Sequence, residues 1–248
     1  MIFCTTLITS FLLASFVQGG DPVSTIPIKR APYKILIVQR FNKTQVIGTG
    51  AILNSQWVIT TASTIIKFKS KPHSLMIRSG SGTYNQGGGL HEVDKIVIHS
   101  DFHEASSNQH LGKGNLALLK IFFSFHPSLT VAQIPTPHHV TTENTTAHIV
   151  AWPIVSGKNT KALKVESTRT VNWEKCQELY SSKTTLDITT LCTQKLSMKA
   201  QEGNALISRA KLIGLLISPN SLKMEFGVDV YVDTASYKLW IDEIIAGS

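Results

Sequence analysis

The sequence is poor in charged residues, above all in acids, and poor in cysteine. Only 16% of its 248 residues are charged, with 16 Asp and Glu against 24 Lys and Arg, and only three residues are Cys. The shortage of acids leaves a net charge of +8, which favours anionic partners such as sulfated glycans, acidic membranes or acidic proteins without deciding among them. The hydrophobic content of 42% excludes a wholly disordered chain. No phosphate-loop or nucleic-acid-binding motif occurs, so we expect no nucleic-acid partner.

Long hydrophobic runs are also absent, except one at the beginning. The segment from Ile2 to Val17 carries no charge and is shorter than the roughly 20 residues of a membrane span. The small residues Gly19 and Gly20 follow it, as is typical of a cleaved secretory signal. We therefore predict a signal peptide over residues 1–20, one domain over residues 21–248, an extracellular location, and no transmembrane anchor after signal cleavage.

Secretion decides how the scarce cysteines are interpreted. Cys4 leaves with the signal, and the remaining pair, Cys176 and Cys192, is predicted to form a disulfide in an oxidising compartment. The sequons at Asn42 and Asn144 predict two glycosylation sites on surface loops.

Metal and cofactor motifs are missing. His91, His99 and His103 lie near one another in sequence, but their spacing matches no zinc-binding pattern. We therefore expect no metal site and no cofactor.

The remaining pattern is one of short β-rich segments separated by clusters of Gly, Asn, Ser and Pro, which indicates an all-β barrel or sandwich. A short helix is predicted over Trp173–Tyr180, and helical spacing of apolar residues over Tyr237–Ile245 predicts a second one that closes the chain. The predicted strands are Lys34–Phe41, Gly50–Ala62, Ser74–Ser79, Glu92–Ile98, Leu116–Phe122, Ala147–Trp152, Ala210–Ser218 and Val228–Val232.

Basic residues cluster at several places in the sequence. Lysines alternate at positions 67, 69 and 71, so that in an extended segment their side chains would share one face. The alternatives are a binding surface for anionic glycans or membranes and an ordinary solvated surface. A further basic cluster is Lys29, Arg30 and Lys34, and the candidate anion-binding residues are Lys67, Lys69, Lys71, Lys158, Lys161 and Lys164.

Several segments together resemble a known family. Residues 48–64 (GTGAILNSQWVITTAST) resemble the CGGSLIxxxWVLTAAHC segment of chymotrypsin-like serine proteases. Lys95–Phe102, Gly114–Ile121 and Tyr237–Ile245 resemble the family's KIIVHPNF, NDIALLKL and YxxWIxxxI segments, in the same order. The resemblance implies two packed six-stranded antiparallel β-barrels with a C-terminal α-helix and an active site in the cleft between the barrels. It also implies that the two remaining cysteines form one of the family's disulfides.

The resemblance also implies that the catalytic residues are replaced. The family reaction needs a histidine base, a carboxylate that orients it, a serine nucleophile and an oxyanion hole. Ser63 stands in the place of the histidine and Asn115 in the place of the aspartate. The segment Ala200–Ile207 (AQEGNALI) corresponds to GDSGGP, but the interval is about two residues short, so the nucleophile position falls on Glu202 or in a gap. A hydroxyl does not accept protons as imidazole does, and a carboxylate would repel an oxyanion.

The activation and disulfide patterns of the family depart in the same way. The nearest match to the family's new amino terminus is Ile26, which has no basic residue before it and no Gly pair after it. The first cysteine pair of the family is replaced at both ends, by Gly48 and Thr64.

These departures are similar to those of the inactive homologues of serine proteases found in insects. We expect a secreted non-catalytic homologue that binds a protease, its substrate or its inhibitor in an extracellular proteolytic pathway. An alternative is a binder of glycosaminoglycans or microbial surfaces on the same fold. A remote alternative is a residual serine-type endopeptidase.

Overall fold

The structure of the protein is a computed structural model, which describes residues 23–103, 110–182, 184–217 and 227–247. The predicted signal peptide, residues 1–20, lies outside the described residues. The regular structure of the described chain is mainly antiparallel β-strand arranged in two closed six-stranded barrels, and a helix ends it. The predicted fold class is confirmed.

The first barrel is closed by six strands, and along its wall the first three strands in chain order are followed by the sixth, the fifth and the fourth. A two-residue strand, β1 (Ser24–Thr25), precedes it and pairs with the second barrel. The six strands of the first barrel are β2 (Lys34–Gln39), β3 (Val46–Ile52), β4 (Trp57–Thr60), β5 (Leu75–Ser79), β6 (Gly89–Ile98) and β7 (Ala117–Ile121).

One correction concerns the predicted single run Gly50–Ala62. It forms two strands, β3 and β4, because the side chain of Asn54 turns the chain between them. Its Oδ1 accepts the backbone N–H groups of Gln56 and Trp57, each at 2.8 Å. Asn and Asp side chains commonly stabilise turns in this way.

The second barrel closes because its first strand, β8 (Thr146–Ala151), pairs with both β11 (Lys164–Val171) and β13 (Ala205–Ser208). Its strands are β8 (Thr146–Ala151), β11 (Lys164–Val171), β12 (Thr190–Gln194), β13 (Ala205–Ser208), β14 (Lys211–Ile217) and β15 (Val228–Asp233), and the hairpin β9 (Ile154–Val155) and β10 (Lys158–Asn159) leaves it after β8.

Three α-helices lie in the described chain: α1 (Ala62–Ile65), α2 (Trp173–Tyr180) and α3 (Lys238–Ala246). Helix α2 has the predicted bounds, and the Oδ1 of Asn172 caps it by accepting the N–H of Lys175 at 3.1 Å. The predicted disulfide between Cys176 and Cys192 is present and joins α2 to β12. Within the described ranges, every helix is too short or too polar to cross a membrane.

The two barrels share a hydrophobic core. Alternate residues of β2 point to opposite sides: Ile35 and Ile37 fill the first barrel, whereas Leu36 and Val38 belong to a core that includes Trp152 and other residues of the second barrel. This shared core fixes the barrels against each other. Loops at its rim, before α1, β7 and β13, bring together residues that are far apart in sequence.

Candidate functional site

Three polar side chains meet where these loops converge. The Oγ of Ser63, on α1, donates to the Oδ1 of Asn115 at 2.9 Å and also contacts the Oε1 of Glu202. The backbone N–H of Ser63 donates to the same Asn115 oxygen at 2.9 Å. Ser63 and Asn115 belong to the first barrel and Glu202 to the second, so this polar group bridges the barrels.

Asn115 is held by the turn that leads into β7. It is only 5% exposed, and its N–H donates to the carbonyl of Gly112 at 3.1 Å. Gly114 beside it has a positive φ of 58°, and its N–H donates to the phenol oxygen of Tyr237 at 2.7 Å. The terminal segment of the chain thus helps to fix this turn.

Glu202 lies in a loop that packs closely on the first barrel. The next residue, Gly203, has φ of +79°, and a Cβ there would lie 2.4 Å from the carbonyl oxygen of Thr49. Only glycine suits such a backbone at such a close approach. The N–H of Gly203 donates to the carbonyl of Leu216 at 2.9 Å, which ties the loop to β14.

The electrostatics of the group follow from burial. Burial raises the pKa of the Glu202 carboxyl above its usual range, and hydrogen bonds with Ser63, Asn115 and Thr61 lower it in part. The contacts of this carboxyl are therefore with hydroxyls and an amide, and none of these named partners is an imidazole. The arrangement can hold the barrels together through hydrogen bonds, and the basic group that it offers the Ser63 hydroxyl is a carboxylate in place of the imidazole that such a reaction uses.

Lys34 is a buried residue of the junction that the sequence analysis placed in a basic cluster with Lys29 and Arg30. It is 1% exposed. Its Nζ donates to the Oγ1 of Thr49 at 2.6 Å and to the Oδ1 of Asn204, and lies 5.8 Å from the centre of the Trp152 ring.

These contacts of the Lys34 amine are all uncharged, and burial lowers its pKa to about 7. The sequence does contain a sign of this burial, because Lys34 begins the apolar run KILIV. Such a run is typical of a strand that is buried on both faces. Since Asn204 lies two residues after Glu202, Lys34 anchors the loop that carries Glu202.

The predicted lysine surface divides into two places. Lys67 lies in a 3-10 helix (Ile66–Phe68) and not in an extended segment, so the alternating lysines do not share a face as a strand would place them. Lys67, Lys69 and Lys71 are exposed on the first barrel, whereas Lys158, Lys161 and Lys164 belong to the second. The six predicted lysines therefore do not form one continuous basic surface along a single strand or a single barrel.

A cavity of about 590 Å³ lies on the second barrel and includes Lys164 and Lys199 in its lining, together with apolar residues such as Val23, Ile154 and Met198. The three residues of the polar group do not line it. Its mixture of apolar walls and amines suits a ligand with an apolar body and a negative end.

The other predicted site residues lie apart from this junction. Asn42 and Asn144 are exposed, and the Oγ1 of Thr44 donates to the Oδ1 of Asn42 at 2.6 Å; their glycosylation stays a prediction. Gly48 faces Thr64, since a Cβ on Gly48 would lie 2.1 Å from the Thr64 methyl group. The two positions expected to have lost a disulfide are thus neighbours in space.

Two of the histidines considered for a metal site pack against aromatic rings. His91 lies 4.6 Å from Phe125 between ring centres, and His99 lies 4.9 Å from both Tyr237 and Trp240. In the part of the chain that the structure describes, no three His, Cys, Asp or Glu side chains are grouped as a metal site would require.

Comparison with known proteins identifies the family. A family model described as Trypsin matches residues 24–241. A trypsin of Phaedon cochleariae is 23% identical over 202 residues, which is 78% of this chain and 77% of that protein. The solved structure of neuropsin, a serine protease expressed in the limbic system of mouse brain, superposes with a TM-score of 0.74 at 15% identity, over 90% of this chain and 98% of neuropsin. Because the family model spans most of the chain and the barrels agree with the solved fold, the protein belongs to the chymotrypsin/trypsin-like serine protease family.

Proposed function

We propose that the protein is a secreted, non-catalytic member of this family that binds an extracellular protease, a protease substrate or an inhibitor, and so regulates a proteolytic pathway. The observation that carries the proposal is the contact among Ser63, Asn115 and Glu202 between the two barrels. The resemblance assigns these positions to the base, the orienting carboxylate and the nucleophile. A hydroxyl, an amide and a carboxylate in those places lack the imidazole chemistry of the family reaction.

The magnitude of the loss supports an inactive protein. Removing one member of such a triad costs roughly 10⁴-fold to 10⁶-fold in rate, and the losses are not additive. With all three replaced, the cleft would retain only binding. A carboxylate at the nucleophile position would also oppose the negative charge that develops in the transition state.

The amino-terminal segment supports the same proposal. Strand β1 pairs with β11, and the N–H of Ile26 donates to the carbonyl of Leu163 at 2.9 Å. The chain around Ile26 is therefore held by backbone hydrogen bonds as a continuous peptide. Gln201, which precedes Glu202, carries an amide that cannot form an ion pair with a freed amino terminus. We propose that the fold forms without cleavage before Ile26.

The proposal is tested with the purified mature chain, a fluorophosphonate probe and a mixed peptide library, with an active trypsin treated in parallel. We expect neither labelling nor turnover. Labelling that survives Ser63→Ala, together with turnover, would show that another serine is the nucleophile and that the assignment of Glu202 is wrong. Labelling that disappears in Ser63→Ala and in Glu202→Gln would instead support the residual hydrolase, with Ser63 activated by Glu202.

The binding half of the proposal needs a separate experiment. A crosslinking pull-down of the tagged protein from its native fluid, washed at rising salt, should retain a protease, a substrate or an inhibitor. If only polyanions are recovered and all elute at low salt, the alternative holds, namely a basic protein that binds sulfated glycans or microbial surfaces. The exposed lysines on both barrels favour that alternative, and counterion-driven binding falls steeply with salt.

A further inference from the structure

Three phenylalanine side chains of the first barrel are exposed to solvent over more than half of their surface. Phe41 is 92% exposed, Phe123 is 76% exposed and Phe122 is 58% exposed. Single exposed apolar residues are ordinary, but adjacent large ones mark an interaction surface. We call Phe41, Phe122 and Phe123 the phenylalanine patch.

Named contacts join Phe122 to Phe123 and connect both to the segment that carries Phe41. The N–H of Phe122 donates to the carbonyl of Glu92 at 3.0 Å. The Nη2 of Arg40, the residue before Phe41, lies 2.6 Å from the Oε1 of the same Glu92. The rings of Phe122 and Phe123 are 4.9 Å apart between centres and nearly perpendicular. Glu92 of β6 thus contacts both the backbone of Phe122 and the side chain of Arg40, the residue before Phe41.

Basic residues adjoin the phenylalanine patch. The N–H of Arg40 donates to the carbonyl of Ser74 at 2.8 Å, and the N–H of Ser74 donates to the carbonyl of Lys71 at 3.0 Å. Lys69 and Lys71 are both exposed. Of the acids on β6, Glu92 is paired with Arg40 and Asp94 is half-buried. Backbone hydrogen bonds through Ser74 thus connect the segment of Arg40 and Phe41 to the exposed lysines.

The phenylalanine patch lies away from the polar group between the barrels. Asn115 precedes β7 and Phe122 follows it, and a strand rises about 3.3 Å per residue, which separates them by roughly 20 Å. A ligand on the patch would therefore leave the Ser63 group uncovered.

The degree of exposure indicates the kind of partner. Rings that line a groove for a protein segment are partly covered by its walls, whereas these rings project into solvent. Projecting apolar rings bordered by lysines are typical of surfaces that lie in a membrane interface, where the rings enter the headgroup and acyl boundary and the amines meet lipid phosphates. We infer that the phenylalanine patch, with Lys69 and Lys71, binds membranes that contain anionic phospholipids.

This inference goes beyond the proposed function and is independent of it, since it uses no residue of the cleft. The test is cosedimentation of the full mature chain with vesicles of phosphatidylcholine alone and with vesicles that contain about one-third phosphatidylserine. We expect binding to the anionic vesicles. The variant Phe122→Ser/Phe123→Ser should weaken it roughly tenfold or more, and Lys69→Glu/Lys71→Glu should weaken it roughly fivefold per lysine or more.

Matched controls come from the second barrel and α3. Leu239 on α3 is 86% exposed, so Leu239→Ser removes an equally accessible apolar side chain elsewhere. Lys158→Glu/Lys161→Glu reverses two exposed charges on the second barrel. Both controls should bind anionic vesicles as the unaltered chain does. Thermal unfolding followed by circular dichroism checks that all four variants are folded.

Three outcomes would overturn the inference. The first is a folded chain that does not sediment with anionic vesicles. The second is vesicle binding that the lysine reversals weaken and the phenylalanine replacements do not, which would indicate a general polyanion surface. The third is absence of vesicle binding together with capture of a crosslinked protein that depends on Phe122 and Phe123, which would make the patch a protein-binding site. The peptidase assay of the cleft is unaffected by any of these outcomes.

Discussion

Lys34 should make the stability of the protein depend on pH between about pH 7 and pH 10. The pKa of its buried amine is lowered from 10.5 to about 7, because the surrounding core does not solvate an ammonium ion. In that interval the unfolded chain binds a proton at Lys34 that the folded chain has released. The free energy of unfolding must therefore increase with pH. The destabilisation caused by protonating the buried amine is complete below about pH 7.

The size of the effect follows from the same values. One pKa unit corresponds to about 1.4 kcal/mol, so the full penalty of the buried amine is roughly 5 kcal/mol. Between about pH 6.5 and pH 9 roughly half of it, 2–3 kcal/mol, should disappear. Lys34→Met keeps an unbranched side chain but removes the titrating group. Its cost is the loss of the donor to Thr49 and Asn204, about 1–3 kcal/mol for each unsatisfied acceptor, and this cost does not vary with pH in that range.

The assay is chemical denaturation of the unaltered chain and of Lys34→Met at several values of pH. The free energy of unfolding of the unaltered chain minus that of Lys34→Met should rise by about 2–3 kcal/mol from pH 6.5 to pH 9. Taking this difference cancels every other group that titrates in both proteins. Lys67→Met, at an exposed lysine of the same barrel, is the control and should give a difference without this trend. A flat difference for Lys34→Met would refute the reasoning, since it would mean that the core accommodates the charged amine.

Three further predictions concern the junction and the disulfide. Gly203→Ala should destabilise the protein by about 3 kcal/mol or more, since it adds a collision with the Thr49 carbonyl to the strain of a positive φ. Gly157→Ala, at φ +75° with open space around it, should cost only about 1 kcal/mol, and equal losses in denaturation midpoints would contradict the collision. The free energy of unfolding of Glu202→Gln, relative to the unaltered chain, should be higher at pH 7 than at pH 4. The reason is that a raised carboxyl pKa makes the unaltered chain lose stability as Glu202 ionises. The same relative free energy at both pH values would rule this out. Cys176→Ser/Cys192→Ser should lower the free energy of unfolding by about 3 kcal/mol for a closed loop of this length. The unaltered chain and the variant are unfolded with and without reductant, and they should differ only without it; equal stability without reductant would contradict a stabilising bond.

The strands of the barrels could be predicted where the sequence shows a short run of apolar residues. The segments that became β2, β5, β7 and β14 consist mainly of aliphatic residues, and these are buried on both sides, between a barrel interior and the shared core. Strand β11, by contrast, reads KVESTRTV, and its buried positions include the polar residues Glu166, Thr168 and Thr170. Its place in the barrel is set by pairing with β8 and β12, which are distant in sequence, so the local pattern alone did not identify it.

The position of the loop around Glu202 also could not be predicted from the local sequence pattern. From the sequence, the resemblance left the nucleophile position either on Glu202 or in a gap. The loop is placed by contacts that only the folded chain creates: Gly203 against Thr49 and Asn204 against Lys34. Each of these residues lies more than 140 positions from its partner, and the lysine looked like part of a charged surface until its burial was known.

Under the proposed function, the contacts of this loop give the junction a structural role in place of the catalytic role that it has in the family. Ser63, Asn115 and Glu202 join the barrels at the rim, and two residues further on Asn204 joins them through the buried amine of Lys34. The members of a catalytic triad also hydrogen-bond to one another, but there an imidazole stands between the hydroxyl and the carboxylate, whereas here the Ser63 hydroxyl contacts Asn115 and Glu202 directly. If the proposed function holds, the residues freed from catalysis now stabilise the orientation of the barrels, and substitutions there should change stability before they change binding. The Lys34 titration measures a separate contribution to the same junction, because its amine bonds the two barrels together and contacts none of the three cleft side chains in the hydrogen bonds described above.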